Sequence, residues 1–280
     1  MTKRFANAAF MTPGLVWLGV FFLVPMIALA TYSFWSVSNY RIVPGFSFHN
    51  YEKAIGDPIF LDLTIRTIRI AVVTTVLSMI FAYPVAYYLA RKVKRNRLTL
   101  LMLVIMPLWT SYLVRTFAWA LILGRNGIIN QGLQGVGLTE APVEWLLYSE
   151  FAVTLALVHI YMPFMVLPIY AVLEKFDGRL LEAARDMGAS RWRAFVTVTL
   201  PLSLPGIVAG SIFVFVPALG AYVTPELLGG TGGMMLGNVI AQQFGGTFEY
   251  PFGSALTVLM VAVVAVLVSV GLRYSSLGRS

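Results

Sequence analysis

The chain contains no cysteine in 280 residues. Disulfides and thiolate metal sites are therefore excluded. Charge is also scarce, at 11% of residues against about 25% in an ordinary soluble domain. So few charges cannot clothe a water-facing surface of this size. The two histidines, His49 and His159, stand apart, and no nucleophile–base or metal-ligand cluster accompanies them. No Gly-x-x-x-x-Gly-Lys-Ser/Thr occurs, so the chain brings no phosphate-cradling loop. Carboxylates are missing from the apolar runs except for Glu150 at the edge of one, which argues against a proton-driven relay. No enzyme is expected on these grounds, and an energy source outside the chain is the economical inference.

What remains is apolar. Hydrophobic residues make up 59% of the chain and mean hydropathy is +0.81. A bilayer core about 30 Å thick takes about 20 apolar residues per helix. Six stretches qualify: Pro13–Trp35, Ile65–Ala90, Leu98–Leu123, Phe151–Leu173, Leu200–Tyr222 and Pro251–Leu272. Continuous runs, rather than alternation, predict helices and exclude a barrel. The expected fold is an all-α membrane protein of six helices: a short segment 1–12, then one transmembrane domain over 13–280. Ala28-Leu29-Ala30 resembles a signal-peptidase site. The run continues past it to Trp35, however, and is long enough to span. Neither a solenoid period nor an internal duplication is visible, which weakens an inverted-repeat carrier.

The charges that do occur are sorted. Fourteen of the twenty basic residues fall on one side of a six-span arrangement. They are Lys3, Arg4, the five cations of Arg91–Arg97, Lys175, Arg179, Arg185, Arg191, Arg193, Arg273 and Arg279. Eight of the twelve acids, from Glu52 to Glu249, fall on the other. The positive-inside rule places both termini and the segment 174–200 in the cytoplasm of a bacterial inner membrane. The cations lie at span ends and form no separate basic domain, so a nucleic-acid partner is not expected. Three glycine-bearing loops, Ser36–Thr64, Gly124–Glu150 and Val223–Tyr250, fall outside and suggest reach for docking.

The segment 174–200 is a charged island between two apolar spans. Leu180, Leu181, Ala184 and Met187 recur at three- and four-residue spacing, with Glu182, Arg185 and Asp186 on the other side. Gly188 suits a left-handed cap. A second short helix is expected from Ser190, with Trp192, Phe195 and Val196 as its stripe and Pro201 and Pro205 opening the fifth span. Such a pair of helices lies at the membrane interface, either on headgroups or against a partner.

The spacing is specific: Glu182-Ala183-Ala184, three residues, Gly188, nine residues, Val198, one residue, Leu200-Pro201. It resembles the signature of the inner-membrane permeases of binding-protein-dependent, ATP-driven importers, with Val198 where isoleucine is usual. The resemblance implies the type I ABC importer permease fold with cytoplasmic coupling helices. It implies that Glu182, Ala183, Ala184 and Arg185 meet an ATPase subunit. Gly188 then makes the bend, and Leu200-Pro201 closes the segment. It further implies a second permease subunit, two cytoplasmic ATPase subunits that carry ATP and Mg, and a periplasmic substrate-binding protein. No cofactor or metal is expected on this chain.

Further stretches are similar to the polyamine and opine branch. They include Asn50-Tyr51, Asp57-Pro58, Pro107-Leu108-Trp109-Thr110, Leu113-Val114-Arg115 and Leu167-Pro168-Ile169-Tyr170. Pro217-Ala218-Leu219-Gly220, Pro225-Glu226-Leu227-Leu228-Gly229-Gly230, Gly237-Asn238-Val239-Ile240 and Tyr250–Ala255 belong to the same set. The implied function is a permease for spermidine, putrescine or related small cations. Several relatives carry an acid where this chain has Ala221, which leaves opines and other small solutes open. An ion-gradient-driven secondary carrier and a scaffold without a path are the other classes.

For the path itself, Trp109, Tyr112, Arg115, Trp119, Tyr222 and Glu226 are the candidates. On one straight helix Arg115 lies about 25 Å from Leu98, near the outer interface, where its side chain can snorkel or serve as a gate. Aromatic belts account for most residues of the Trp109–Trp119 kind. A cationic amine also stacks on such faces, at about 0.5–2 kcal/mol each. Glu226 is placed to meet a polycation or a docked protein. Prolines 84, 107, 163, 168 and 217 are expected to kink their spans.

Overall fold

The computed structural model describes residues 12–39 and 41–277. Lys3, Arg4 and Arg279 of the expected basic face lie outside the described residues. In chain order the helices are α1 (Thr12–Tyr32), α2 (His49–Gly56), α3 (Pro58–Arg91), α4 (Arg97–Ile105), α5 (Tyr112–Leu123), α6 (Ile128–Gly135) and α7 (Glu150–Lys175). There follow α8 (Arg179–Asp186), α9 (Arg191–Ala194), α10 (Leu200–Leu219), α11 (Val223–Leu228), α12 (Leu236–Gly245) and α13 (Tyr250–Leu277). A two-stranded antiparallel ribbon, β1 (Ser36–Ser38) with β2 (Arg41–Val43), pairs Val37 with Ile42. Five helical stretches are long and apolar enough to cross a membrane, and six if the bent pair Arg97–Trp109 and Tyr112–Gly135 is one span.

Two expectations about the spans need correction. The third is not one helix. Pro107 sits in a 3-10 turn over Met106–Trp109, Thr110 is extended, and the chain bends by 88° before Tyr112. The straight-helix distance for Arg115 therefore does not hold. The second span begins at Pro58 rather than Ile65, because Asp57 Oδ1 accepts the Ile59 amide at 2.9 Å and starts the helix early. Elsewhere the helices run through their prolines: Pro84 in α3, Pro163 and Pro168 in α7, Pro205 and Pro217 in α10. Only Pro107 coincides with a break.

The chain divides into two compact units. One comprises the residues up to Asp62 together with Val239–Val263. In it, α1 shows no buried face: Trp17, Phe21, Phe22 and Ile27 are all exposed. A helix that is apolar all round and unpacked in its own chain needs lipid or a partner subunit around it. Asn50 ties α2 to the end of α1 by donating to the Ser33 and Trp35 carbonyls at 2.9 and 2.8 Å. Lys53 stands 4.3 Å over the Phe252 ring and 3.7 Å from Glu249.

The other unit comprises Leu63–Asn238 and the residues from Val264 onward. Its centre is α7, whose spanning window is two-thirds buried. Against it packs α10, through Ser203, Gly206, Gly210, Val214 and Ala218. Between helices in lipid, close contact replaces the hydrophobic drive, and small residues four apart allow it. A methyl at Gly206 would lie 2.7 Å from the Pro168 carbonyl oxygen, and one at Gly210 would lie 2.7 Å from Met165 Sδ. On α3 the buried row Leu63, Thr67, Ile70, Thr74, Ser78, Ala82, Ala86 and Leu89 keeps helical spacing and shortens toward small residues.

Gly206→Val is predicted to cost about 1–3 kcal/mol by overpacking against backbone that cannot yield. Thermal unfolding of the purified chain in detergent should fall by several degrees. Gly135→Ala, where an added methyl meets nothing within 4 Å, should leave it unchanged.

Candidate functional site

Two places concentrate chemistry. The first is the elbow between α7 and α10. Asp177 Oδ1 accepts the Arg179 amide at 3.0 Å and starts α8. The end of α8 closes on paired bonds: the Gly188 amide to the Arg185 carbonyl at 2.8 Å, and the Ala189 amide to the Ala184 carbonyl at 3.0 Å. This is the Schellman arrangement, and Gly188 holds the left-handed conformation it demands, at φ +84°. A side chain there would meet open space, so the constraint is conformational. Ser190 Oγ then accepts the Arg193 amide at 3.2 Å and starts α9. Three local devices thus lock one bend.

The apolar stripe of the island splits. Ala184 and Ala194 are buried against the body of the unit, and Leu181 is half-buried. Leu180, Met187 and Trp192 are 50%, 83% and 72% exposed. Glu182, Ala183, Arg185 and Asp186 are exposed as well. The elbow therefore offers carboxylates beside uncovered apolar side chains, which is the composition of a docking face.

The expected second small helix is not separate. α9 continues through a π-turn, Phe195–Thr199, directly into α10, and Arg191–Leu219 is one 29-residue helix. Pro201 supplies the reason. Its ring would clash with a carbonyl four residues back in a regular helix. The widened turn, in which the Leu200 amide bonds to Phe195 rather than to Val196, relieves that crowding. Leu200 and Pro201 thus shape the stem of the fifth span and do not join Glu182 at the elbow.

The second place is a polar and aromatic cluster where α5 meets α7 and α11. Tyr112, Arg115 and Trp119 fall on one face of α5. The Tyr112 hydroxyl lies 2.7 Å from Thr224 Oγ1. Trp119 Nε1 donates to His159 Nδ1 at 3.2 Å, with the rings edge to face at 5.7 Å. His159 thus bonds a neighbouring helix, as a lone membrane histidine is expected to do. Arg115 reaches the Ile160 carbonyl at 3.5 Å, and its Nε is buried without a partner. The Tyr161 hydroxyl donates to the Pro217 carbonyl at 3.3 Å. Trp109, 76% exposed, lies across the break and does not join. Tyr222 is also exposed, and its backbone carbonyl, rather than its ring, is engaged.

Glu226 is exposed but tethered. Asn238 Nδ2 donates to its carboxylate at 2.9 Å and to the Tyr222 carbonyl at 2.8 Å, while Asn238 Oδ1 accepts the Met235 amide at 3.1 Å. This part of the loop Val223–Tyr250 is built rather than loose. Gly229 and Gly233 pack backbone to backbone, and a methyl on Gly229 would meet the Gly233 carbonyl oxygen at 2.6 Å. Their glycines serve close approach, not reach. The triad of Glu150, Arg69 and Arg66 was not singled out from the sequence. Glu150 is ion-paired with Arg69, and Arg66 Nε lies 3.8 Å from it. Arg66 also donates to the Thr231 and Gly232 carbonyls at 3.0 and 2.9 Å. The signal was present in two arginines one turn apart near a span's edge.

Residues 82–276 match the family model described as binding-protein-dependent transport system inner membrane component. The chain is 34% identical over 277 residues to the spermidine/putrescine transport system permease protein PotB of Salmonella typhimurium, covering 99% of this chain and 96% of that protein. It is 36% identical over 263 residues to the PotB of Haemophilus influenzae, covering 93% and 91%. Among solved structures, a bacterial ABC transporter involved in import of the acidic polysaccharide alginate matches with a TM-score of 0.73 at 19% identity, covering 98% of this chain and 96% of that one. That likeness shows the fold.

Asn238→Ala removes three hydrogen bonds at once and should cost roughly 2–3 kcal/mol. The readout is the thermal midpoint of the purified chain; an unchanged midpoint would remove Asn238 as the organiser of this loop.

Proposed function

The chain belongs to the family of inner membrane components of binding-protein-dependent transport systems, and from that premise we propose that its cargo is a polyamine of the spermidine/putrescine class. It is the permease subunit of an ABC importer, with the type I fold. The cargo reading is supported by relatives that match this chain over nearly their full length and bear that name.

In this reading a periplasmic binding protein delivers substrate to the outer face. The chain pairs with a second permease subunit around a central path. Two separate cytoplasmic subunits bind ATP and Mg and hydrolyse the nucleotide; both termini and the elbow share their side of the membrane. Residues 13–280 act as one transmembrane domain with its coupling segment at 174–200.

The elbow carries the proposal. Glu182 faces outward next to Ala183 and Asp186, and Leu180, Met187 and Trp192 leave apolar surface for a groove on the ATPase to cover. Because α9 and α10 form one helix, closure of the ATPase pair moves the fifth span as a rod. That rod ends beside Thr224, which bonds Tyr112 of the cluster. The aromatic faces of Tyr112 and Trp119 suit an amine, at about 0.5–2 kcal/mol each. Arg115 would repel a polycation. Its role is therefore a gate, or a tether to α7, and not a binding group. The carboxylates that a polyamine needs come from Glu226 and from the partner chains.

Glu182→Ala and Gly188→Val are predicted to lower uptake at least about tenfold, a coupling loss of roughly 1.4 kcal/mol or more. Membrane insertion should stay intact, while ATP hydrolysis no longer responds to the loaded binding protein. Uptake at the wild-type rate in both variants refutes the coupling role. Transport that continues without any ATPase subunit would point to an ion-gradient carrier. Stimulation by an opine but not by spermidine or putrescine would reassign the cargo.

A further inference from the structure

The chain carries a cavity of about 220 Å³ that the transport cycle described above does not use. It lies between the end of α3, the face of α8 turned toward the protein body, and the π-turn that leads into α10. Lys92, Arg185 and Arg191 line it, with Tyr87 and Phe195 as its apolar wall. None of the three cations makes a side-chain hydrogen bond or ion pair among the described residues. Two of their neighbours in the basic segment are committed elsewhere. Arg91 donates to the Phe176 carbonyl at 3.0 Å and stacks on its ring, and Arg97 pairs with Glu174 at 2.9 Å. Thr199 forms part of the same wall. It is 1% exposed, and its hydroxyl has no hydrogen-bond partner.

Three exposed cations without a protein partner around one space suit an oxyanion with several acceptor atoms. A phosphate group answers that chemistry. A second observation says what the phosphate is attached to. Lys92 follows α3 directly, with its amide bonded to the Tyr88 carbonyl at 2.9 Å, and Pro84 and Tyr88 are one turn apart on that helix. Pro84 and Tyr88 form one side of an apolar groove of about 500 Å³, closed on the other by Leu100, Leu103 and Val104. A soluble phosphate has no use for such a groove, and an acyl chain does. The cavity also sits where α3 ends and the fifth span begins, on the Leu181–Arg185 side of α8. Basic pockets between spans on the cytoplasmic side are suited to anionic lipid headgroups.

We propose that Lys92, Arg185 and Arg191 bind the headgroup phosphate of an anionic phospholipid of the inner leaflet, with one acyl chain in the Pro84–Tyr88 groove, and so brace the root of the elbow. The leaflet assignment rests on the orientation given under the proposed function.

The test uses the full chain purified from membranes that contain both zwitterionic and anionic phospholipids. Native mass spectrometry during stepwise delipidation reads which lipid stays. Wild type should retain anionic phospholipid, and added inorganic phosphate should not displace it. The double variant Lys92→Gln with Arg191→Gln should retain at least about tenfold less. Lys92→Arg should retain it, and an unchanged melting midpoint checks that each variant folds. Equal retention in the double variant overturns the site. Displacement by phosphate overturns the lipid in favour of a soluble anion. Loss of ATPase capture with full lipid retention overturns it in favour of partner docking. Since the chain has no cysteine, Lys94→Cys gives a single label that reports sidedness. Labelling from the periplasm overturns the orientation and the inner-leaflet assignment together. Cytoplasmic labelling with unchanged retention overturns the lipid site alone.

Discussion

The backbone-close contact of α10 with α7 at Gly206 and Gly210 is the constraint on which the elbow and the polar cluster of this unit depend. Lipid tails are as apolar as leucine, so two spans gain little from hiding apolar side chains against each other. They gain from approach, and glycine permits the closest approach. The elbow joins these same two helices. Its bend is therefore anchored at both roots to a pair that cannot slide freely. A helix of 29 residues from Arg191 to Leu219 is about 43 Å long, enough to carry a displacement across the hydrocarbon. At its far end lie the Pro217 carbonyl, held by Tyr161, and then Thr224, held by Tyr112.

Polar groups at membrane depth follow the same economy. Each one that is well placed links two elements. Trp119 meets His159, Tyr112 meets Thr224, and the Thr67 hydroxyl accepts the Leu236 amide at 2.8 Å. Glu150 spends its charge on Arg69 and Arg66 at the edge of α7. A carboxylate neutralised in this way is poorly suited to shuttle protons, which agrees with an energy source outside the chain. Among the described residues six buried side-chain N or O atoms have no partner, and two of them lie at the places described above. Arg115 Nε and Thr199 Oγ1 are buried without partners, one in the cluster and one under the elbow.

Much of this was legible from residues alone, where the cause is local. Gly188 and Ser190 announced the bend, because a left-handed cap and an N-cap are choices made within a few residues. Five spans followed from length and hydropathy. The third span misled because hydropathy does not sense direction: Leu98–Leu123 is apolar throughout, yet it turns by 88° after Pro107. The second helix of the island misled for the opposite reason. Pro201 reads as a start signal, while a π-turn lets the helix run past it. Long-range causes were hidden. Nothing local shows that Gly206 faces Pro168, or that Gly229 packs on Gly233, and so the outer glycines read as slack. In the candidate site, Tyr112, Arg115 and Trp119 came together because helical spacing predicts a shared face. Trp109 and Tyr222 did not, since the break and the start of α11 turn them away.

The central claim is that an external motor drives the elbow. The absence of native cysteine makes it directly measurable, by placing one cysteine at Met187, the most exposed apolar side chain of the elbow. In the assembled complex, a thiol crosslinker on Met187→Cys should capture the ATPase subunit, and the yield should change between nucleotide-free and ATP-bound states. Capture of no ATP-hydrolysing subunit in either state would contradict the account.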